Sequence, residues 1–388
     1  MIRSFRYPLH PTQAQAATLT LWLGSCCDLY NAALQERRDA WRKLGVSVSM
    51  YDQQKSLTEI RATVDGWCDV PSHVARSALR RLDKAYGAFF RRCKASAKRP
   101  GFPRFKPKRR YDSFDIGSTA VRGKYLIRDN RVQLPSIGYV KFNQYRPLLG
   151  KVLDVVVRRE ADKWYVVFQC DLGEAPVRVD LDTVEPARII GIDVGLTTLA
   201  TMSDGSTVDN PRHGKAAAKR VAAAQRCLAR KQRGSRSRRR AIVRVQRAYA
   251  HVANQRLDTA RKVAADLTRR FDVICFEDLN IKGLASGMLG KSVNDAAWGM
   301  LLTAIEHKAE SAGKYVVATD PRGTTIECSQ CGHAVPKRLD ERTHRCGSCG
   351  LVMGRDHNAA INIQGRGMRL LGLSVLPPIT GEGLNASA

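Results

Sequence analysis

Two short cysteine pairs near the C-terminus, Cys328-Ser-Gln-Cys331 and Cys346-Gly-Ser-Cys349, constrain the fold of this chain more tightly than any other feature. Fourteen residues separate them. Four thiolates at that spacing suit one tetrahedral zinc ion held by a small ribbon. Gly332 and Gly350 follow the second cysteine of each pair, where a tight knuckle lets backbone amides point at sulfur. With four protein ligands no coordination position is open, so the site is structural and not catalytic. His333 and His344 lie close by but are expected to be bystanders. The other seven cysteines of an odd total of eleven (Cys26, Cys27, Cys68, Cys93, Cys170, Cys227, Cys275) are scattered. No charged-then-apolar signal segment opens the chain, so they read as reduced, mostly buried thiols of a cytosolic protein.

The charge balance limits the partners. There are 65 Lys and Arg against 36 Asp and Glu, a formal net charge of +29. Self-repulsion on that scale calls for a polyanion. A membrane surface competes, but no uninterrupted apolar run approaches the ~20 residues of a membrane span. Nucleic acid remains. Residues 84–111 carry eleven basic residues and no acidic one, ending in Gly101-Phe-Pro-Arg-Phe-Lys-Pro-Lys-Arg-Arg110. Interleaved rings can stack on bases while cations meet phosphates, which makes Arg104, Lys106, Lys108, Arg109 and Arg110 candidate contacts. A solvated linker is the plainer alternative. Residues 210–257 carry fifteen basic residues and again no acidic one, in an Ala-, Arg- and Lys-rich background. We read them as a helical pair along a nucleic-acid backbone, turning near Gly234-Ser235, with Arg236, Arg238, Arg239 and Arg240 as phosphate contacts. Such contacts position the partner and do not read its sequence.

Periodicity divides the chain as multidomain α+β. A basic–apolar alternation over residues 1–8 predicts a strand. Apolar residues recurring at three and four predict helices from Thr12 to about Leu44 and again after Pro71. Short alternating runs over 113–173, such as Trp164-Tyr-Val-Val-Phe-Gln-Cys170, predict an antiparallel β region that the opening strand joins as a small barrel. The polar stretch 174–186 marks a boundary. Beyond it the rhythm becomes α/β, with strands near 188–194, 197–203, 272–277 and 315–319. The expected division is a β-barrel from 1–10 and 101–185, a helical lobe over 11–100, and an α/β domain over 186–388. The last contains the basic helical insertion 210–270, the zinc ribbon 323–353 and a tail, 377–388, expected to be disordered.

Three carboxylates sit at chemically informative places. Asp193, in Ile189-Ile-Gly-Ile-Asp-Val-Gly-Leu196, lies on an apolar strand, where a carboxylate is expensive unless a cation meets it. Glu277 ends the apolar strand of Phe271-Asp-Val-Ile-Cys-Phe-Glu-Asp-Leu279, and the C-terminal edge of a parallel strand opens into a cleft. Asp356, in Gly354-Arg-Asp-His-Asn-Ala-Ala-Ile-Asn-Ile363, begins a helix whose Ala359, Ala360 and Ile363 face would pack on the sheet. Separately they read as a hairpin polar residue, a strand-end surface residue and a helix N-cap. Together, in so basic a chain, they suit two Mg²⁺ ions roughly 3.5–4 Å apart acting on a phosphodiester. Asp278 should point to the opposite face and is left out.

These motifs carry a resemblance. Gly191-Ile-Asp-Val-Gly-Leu196, Phe276-Glu-Asp-Leu-Asn-Ile281 and the ribbon running into Gly354-Arg-Asp-His-Asn358 resemble the transposon-encoded TnpB (OrfB) nucleases, relatives of the compact type V CRISPR effectors. Weaker matches at Tyr30-Asn-Ala-Ala-Leu34, Gly101-Phe-Pro-Arg-Phe-Lys106, Asn254-Gln-Arg256 and Trp298 extend it over nearly the whole chain. The resemblance implies a wedge β-barrel, a helical recognition lobe and an RNase H-like (RuvC) nuclease domain with an inserted zinc ribbon. It implies an RNA-guided DNA endonuclease: a guide RNA from the transposon end pairs with double-stranded target DNA beside a short flanking motif, read from somewhere within 1–110. One site, matching Asp193, Glu277 and Asp356, would cut both strands with Mg²⁺. The protein would be a monomer in that complex, in a prokaryotic cytoplasm and at the nucleoid when bound to DNA. Thr325-Ile-Glu327 departs from the family's usual Ser and Gln. A transposase or transposition regulator on the same fold, and a miniature type V CRISPR effector, are the alternatives.

Overall fold

A computed structural model describes residues 1–373 except Cys68, Lys98, residues 118–125 and Leu339. The Cys68 thiol and the tail 377–388 therefore lie outside the described residues. The chain divides into two units, Met1–Glu174 and Ala175–Ala388.

In the first unit β1 (Ile2–His10) buries Phe5, Tyr7 and Leu9 on one face. It sits inside an antiparallel sheet with β2 (Ser113–Asp115), β3 (Ile127–Arg128), β4 (Arg131–Leu134), β5 (Gly138–Phe142), β6 (Lys151–Glu160) and β7 (Lys163–Asp171), in the order β2-β6-β7-β1-β5-β4-β3. Among the described residues β2 and β3 are opposite edges, so the expected barrel is not closed by strand pairing. α1 (Gln13–Leu44) opens with a Thr12–Gln15 capping box and ends at Gly45, whose φ of +66° suits a residue without Cβ. α2 (Met50–Thr63) and α3 (Ser72–Lys94) follow. The sequence separates a helical lobe from the β region, but the two share one core: Leu19, Trp22, Val74 and Leu79 cluster with Phe114, Val155 and Phe168. Trp22 meets Phe114 edge-on at 5.8 Å. An amphipathic helix must bury its apolar stripe somewhere, and the inner face of the sheet is what covers it.

The second unit is a three-layer α/β arrangement. β8 (Ile189–Val194), β9 (Thr198–Met202), β10 (Thr207–Asp209), β11 (Val273–Glu277) and β12 (Tyr315–Thr319) form a sheet in the order β10-β9-β8-β11-β12. β8, β11 and β12 are parallel, β9 pairs antiparallel with β8, and β10 pairs antiparallel with β9. Ile190, Ile192, Ile274 and Phe276 face α5 (Arg236–Arg270) and α8 (Trp298–Ser311), against Ala264, Leu267, Leu301 and Ile305. The opposite face, with Ile189, Val273, Cys275 and Val317, is covered by Ile363 and Met368 of α9 (Arg355–Leu370). Between α4 (His213–Ala229) and α5 the chain makes the expected helical hairpin. α6 (Ile281–Ser286) and α7 (Gly290–Ala296) lead into α8, and the cysteine segment, with β13 (Thr343–Arg345) paired to β14 (Val352–Gly354), lies between β12 and α9. The boundary falls earlier than the composition suggests. The Val179 amide donates to the Gly313 carbonyl at 2.9 Å, so residues 175–185 belong here and not with the β region.

Candidate active site

Side chains alternate across a strand. Ile189, Gly191 and Asp193 therefore share the α9 face of β8, and Val273, Cys275 and Glu277 share it on β11. Two glycines bring α9 in at backbone distance. A Cβ on Gly191 would lie 2.0 Å from the Ala360 carbonyl oxygen, and one on Gly367 would lie 2.2 Å from Cys275 Sγ. Gln364 Nε2 also donates to the Ile189 carbonyl at 2.8 Å. α9 thus runs against the strands with its first turn, which carries Asp356, toward their C-terminal ends.

Ile192 registers with Phe276. One step further, Asp193 and Glu277 occupy neighbouring strand ends. Burial, then the negative charges of Glu277 and Asp356, push the Asp193 carboxyl up to about 8, against a smaller opposing pull from Arg355. Burial also raises Glu277, opposed by the Thr324 hydroxyl, which donates to Glu277 Oε1 at 2.6 Å, and by the Arg366 charge. Asp356 accepts from Arg355 Nε at 3.1 Å, and Arg342 lies 3.8 Å away. It does not cap its helix: Gly354 holds the N-cap position, without a side-chain hydrogen bond. Asp278 is exposed. Asp193 thus feels the charge of both Glu277 and Asp356, which is unfavourable unless a proton or a cation intervenes. A hard-oxygen donor set of this kind suits Mg²⁺.

The four cysteines come together. Cys328 and Cys349 sulfurs are 3.6 Å apart, as are those of Cys331 and Cys346, and all four lie within 4.8 Å of one another. A tetrahedron with zinc–sulfur distances near 2.3 Å has edges of about 3.8 Å, so the cage fits zinc. Gly332 and Gly350 adopt φ of +74° and +77°. Their amides donate to the Cys328 and Cys346 carbonyls at 2.9 Å, closing both knuckles. The Cys349 backbone amide is the largest influence lowering the Cys346 thiol to about 6. His333 is exposed, and His344 is buried with Nδ1 2.6 Å from Lys337 Nζ. Neither joins the cluster.

Several residues outside the candidate ligand sets hold this arrangement. Asn358 accepts from the Ser329 amide at 2.9 Å and donates to the Glu327 carbonyl at 2.8 Å. Asn362 Nδ2 donates to the Thr324 and Glu327 carbonyls. Arg366 donates to the Asp320 and Arg322 carbonyls and pairs with Glu327 at 2.7 Å. Asn358 belongs to the motif already noted, and a spacing of four places Asn362 and Arg366 on the same helical face. Trp298 Nε1 donates to the Gly195 carbonyl at 3.1 Å, beside the β8–β9 turn. Asp295 accepts from the Gly214 and Lys215 amides and from Arg256, seating the start of α4.

The basic candidates separate into exposed and occupied groups. Arg104, Arg109, Arg110, Arg236, Arg239 and Arg240 are exposed, and exposed Lys108 pairs with Asp28 at 2.7 Å. Lys106 is turned inward, with Nζ 4.8 Å from the Tyr30 ring centre and its backbone clasped by Asn31. Arg238 closes the α4–α5 turn by donating to the Leu228 and Lys231 carbonyls. These two differ from the expected surface role because each finds an internal partner within reach. No helix among the described residues is long and apolar enough to cross a membrane.

Known proteins match along the chain. A family model described as "Probable transposase", OrfB, matches residues 174–287, and one described as "Cas12f1-like, TNB domain" matches 298–363. A third, "Helix-turn-helix domain", matches 1–45, where the chain folds as β1 and one long helix. A "Putative RNA-guided DNA endonuclease" of Streptomyces pristinaespiralis is 31% identical over 94% of this chain and 89% of its own length. "Putative RNA-guided DNA endonuclease InsQ" of Escherichia coli (strain K12) is 28% identical over 95% and 93%. The solved "mini-RNA-guided endonuclease CRISPR-Cas_phi3" shares the fold with a TM-score of 0.51 at 9% identity, over 97% of this chain and 94% of that one. The motifs, the strand order that gathers them and this kinship over most of both chains place the chain in the TnpB (OrfB) family of transposon-encoded RNA-guided nucleases.

Proposed function

We propose that this chain is an RNA-guided DNA endonuclease whose single RuvC-type, RNase H-like site comprises Asp193, Glu277 and Asp356. The observation that carries the assignment is that Asp193 and Glu277 stand at neighbouring strand ends, with the first turn of α9 bringing Asp356 to the same end of the sheet. Held there, the three groups would bind two Mg²⁺ ions, which when bound activate water and stabilise the leaving oxygen of a phosphodiester. With Asp193 and Glu277 on strands of the sheet and Asp356 on the glycine-seated helix, the donor set would be preorganised before substrate arrives. The cysteine cage would hold a structural zinc and tie the chain just before α9. Exposed arginines of the α4–α5 hairpin would neutralise phosphates, while the guide reads the target by base pairing. The first unit corresponds to the wedge and recognition parts, and the protein would act as a monomer on guide RNA and double-stranded DNA.

The test uses protein purified with its RNA. Sequencing that RNA defines the guide, and a plasmid carrying the matching target is then offered with Mg²⁺. Asp193→Ala, Glu277→Ala and Asp356→Ala should each abolish cutting of both strands and leave guided target binding nearly unchanged. Cutting that survives all three changes removes the nuclease assignment. Joined transposon ends in place of free ones would favour a transposase.

A further inference from the structure

The geometry points to Thr324 as a positioning residue for Glu277, set in place from α9, so that one carboxylate oxygen is held by a hydroxyl and the other is left for metal. This rests on the reading of Glu277 as a metal ligand. Thr324 is 1% exposed, and Glu277 is 9% exposed. The Thr324 hydroxyl has one proton and two acceptors in reach, Glu277 Oε1 at 2.6 Å and the Pro321 carbonyl at 3.1 Å. The shorter, charge-assisted bond takes it. Oε1 is thereby oriented, and Oε2 is the oxygen available to a cation.

Thr324 does not belong to the sheet. It lies in the segment leading to the first cysteine knuckle, and α9 fixes that segment at every turn. Arg366 holds the carbonyls of Asp320 and Arg322, Asn362 those of Thr324 and Glu327, and Asn358 that of Glu327 and the amide of Ser329. Ser329 sits inside the Cys328–Cys331 knuckle. The helix that presents Asp356 therefore also sets the rotamer of Glu277, through a buried hydroxyl, and references both to the knuckle. Partners of this kind, which orient a ligand without touching the metal, are worth about 10- to 100-fold in metal affinity.

The experiment compares the zinc-loaded full chain with Thr324→Val, which keeps the shape and removes the hydroxyl, and Thr324→Ser, which keeps the hydroxyl. Mn²⁺ binding is followed by electron paramagnetic resonance, and the Mg²⁺ concentration for half-maximal cutting is measured on the RNA complex. Thr324→Val should weaken Mn²⁺ binding about tenfold and raise the Mg²⁺ requirement by a similar factor. Cutting should recover at high Mg²⁺, and Thr324→Ser should restore both. If Thr324→Val folds poorly, Asn362→Ala asks the same question from the helix and should shift Mn²⁺ binding in the same direction. Mn²⁺ binding unchanged in Thr324→Val while Glu277→Gln abolishes it overturns the inference and leaves the assignment of Glu277 intact. A serine variant that behaves like valine also overturns it, because the methyl group and not the hydroxyl would then be the active element. Mn²⁺ binding unchanged in Glu277→Gln removes the metal-ligand reading itself.

Discussion

Replacing Asp193 by Asn should stabilise the metal-free protein, and the size and pH dependence of the gain follow from the crowding of carboxyls around it. Folding moves this group from its ordinary 3.8 to about 8. Below pH 3.8 it is neutral folded or unfolded and contributes nothing. As pH rises from there, the unfolded chain releases the proton while the folded chain must retain it, so stability falls until about pH 8 and then stays level. The full displacement corresponds to about 6 kcal/mol at 1.36 kcal/mol per unit. Asp193 is partly open to the cleft, where water weakens the penalty, so we expect about 2–3 kcal/mol. For a unit of this size that is roughly 4–12 °C in melting temperature. Asn keeps the shape and removes the charge. The assay is thermal unfolding from pH 5 to 8.5, without Mg²⁺ and without chelator, so that zinc stays in place. Asp193→Asn should melt above the parent at pH 8, the gap should shrink toward pH 5, and adding Mg²⁺ should raise the parent selectively. A variant that melts below the parent at pH 8 would show that the aspartate is kept for the fold, and the metal-site reasoning would fail.

Cys346→Ser should lower bound zinc from one ion per chain toward none and melt the ribbon, because zinc binding there is folding free energy; elemental analysis and calorimetry check it. Replacing Arg236, Arg239 and Arg240 together by Gln should reduce the salt slope of RNA binding by about 2–3, as each lost phosphate contact removes about 0.7–0.9. Arg238→Gln should instead lower the melting temperature, since its guanidinium closes a turn. Gly191→Ala should cost more than about 3 kcal/mol and abolish cutting, because the added methyl falls on the Ala360 carbonyl and drives α9 from the sheet.

The sequence reveals most where chemistry demands a fixed spacing. The cysteine pairs with their glycines, the apolar strand around Asp193 and the strand end at Glu277 all read directly, because period two and short motifs are local. What it leaves hidden is contact across the chain. Nothing in Gly191 or Gly367 announces that each lies beneath a helix or against a strand from elsewhere, and Thr324 looks like any polar residue in a loop. Lys106 and Arg238 mislead for the same reason: a cation in a basic run looks free until its internal partners are known. The helical lobe and the β region were separable by pattern alone, yet pattern does not say which apolar faces meet. Trp22 against Phe114 is a tertiary fact.

The α4–α5 hairpin has a consequence for how relatives of this chain can vary. Its inner side is paved with buried alanines, Ala217 and Ala224 on one arm and Ala241 and Ala248 on the other. Within each arm they stand seven apart, and seven residues bring a helix back to almost the same side. A single residue inserted into α5 would swing Arg240 or Arg247 into that narrow seam and spread the arms. Matched whole repeats, one on each side of the turn, lengthen or shorten the arms without moving the seam, whereas insertions of three or four residues would have to overwind or unwind it. Outer positions are free to drift provided they remain basic. Length differences among relatives in this arm should come in multiples of about fourteen residues in total, a signature readable from sequence lengths alone.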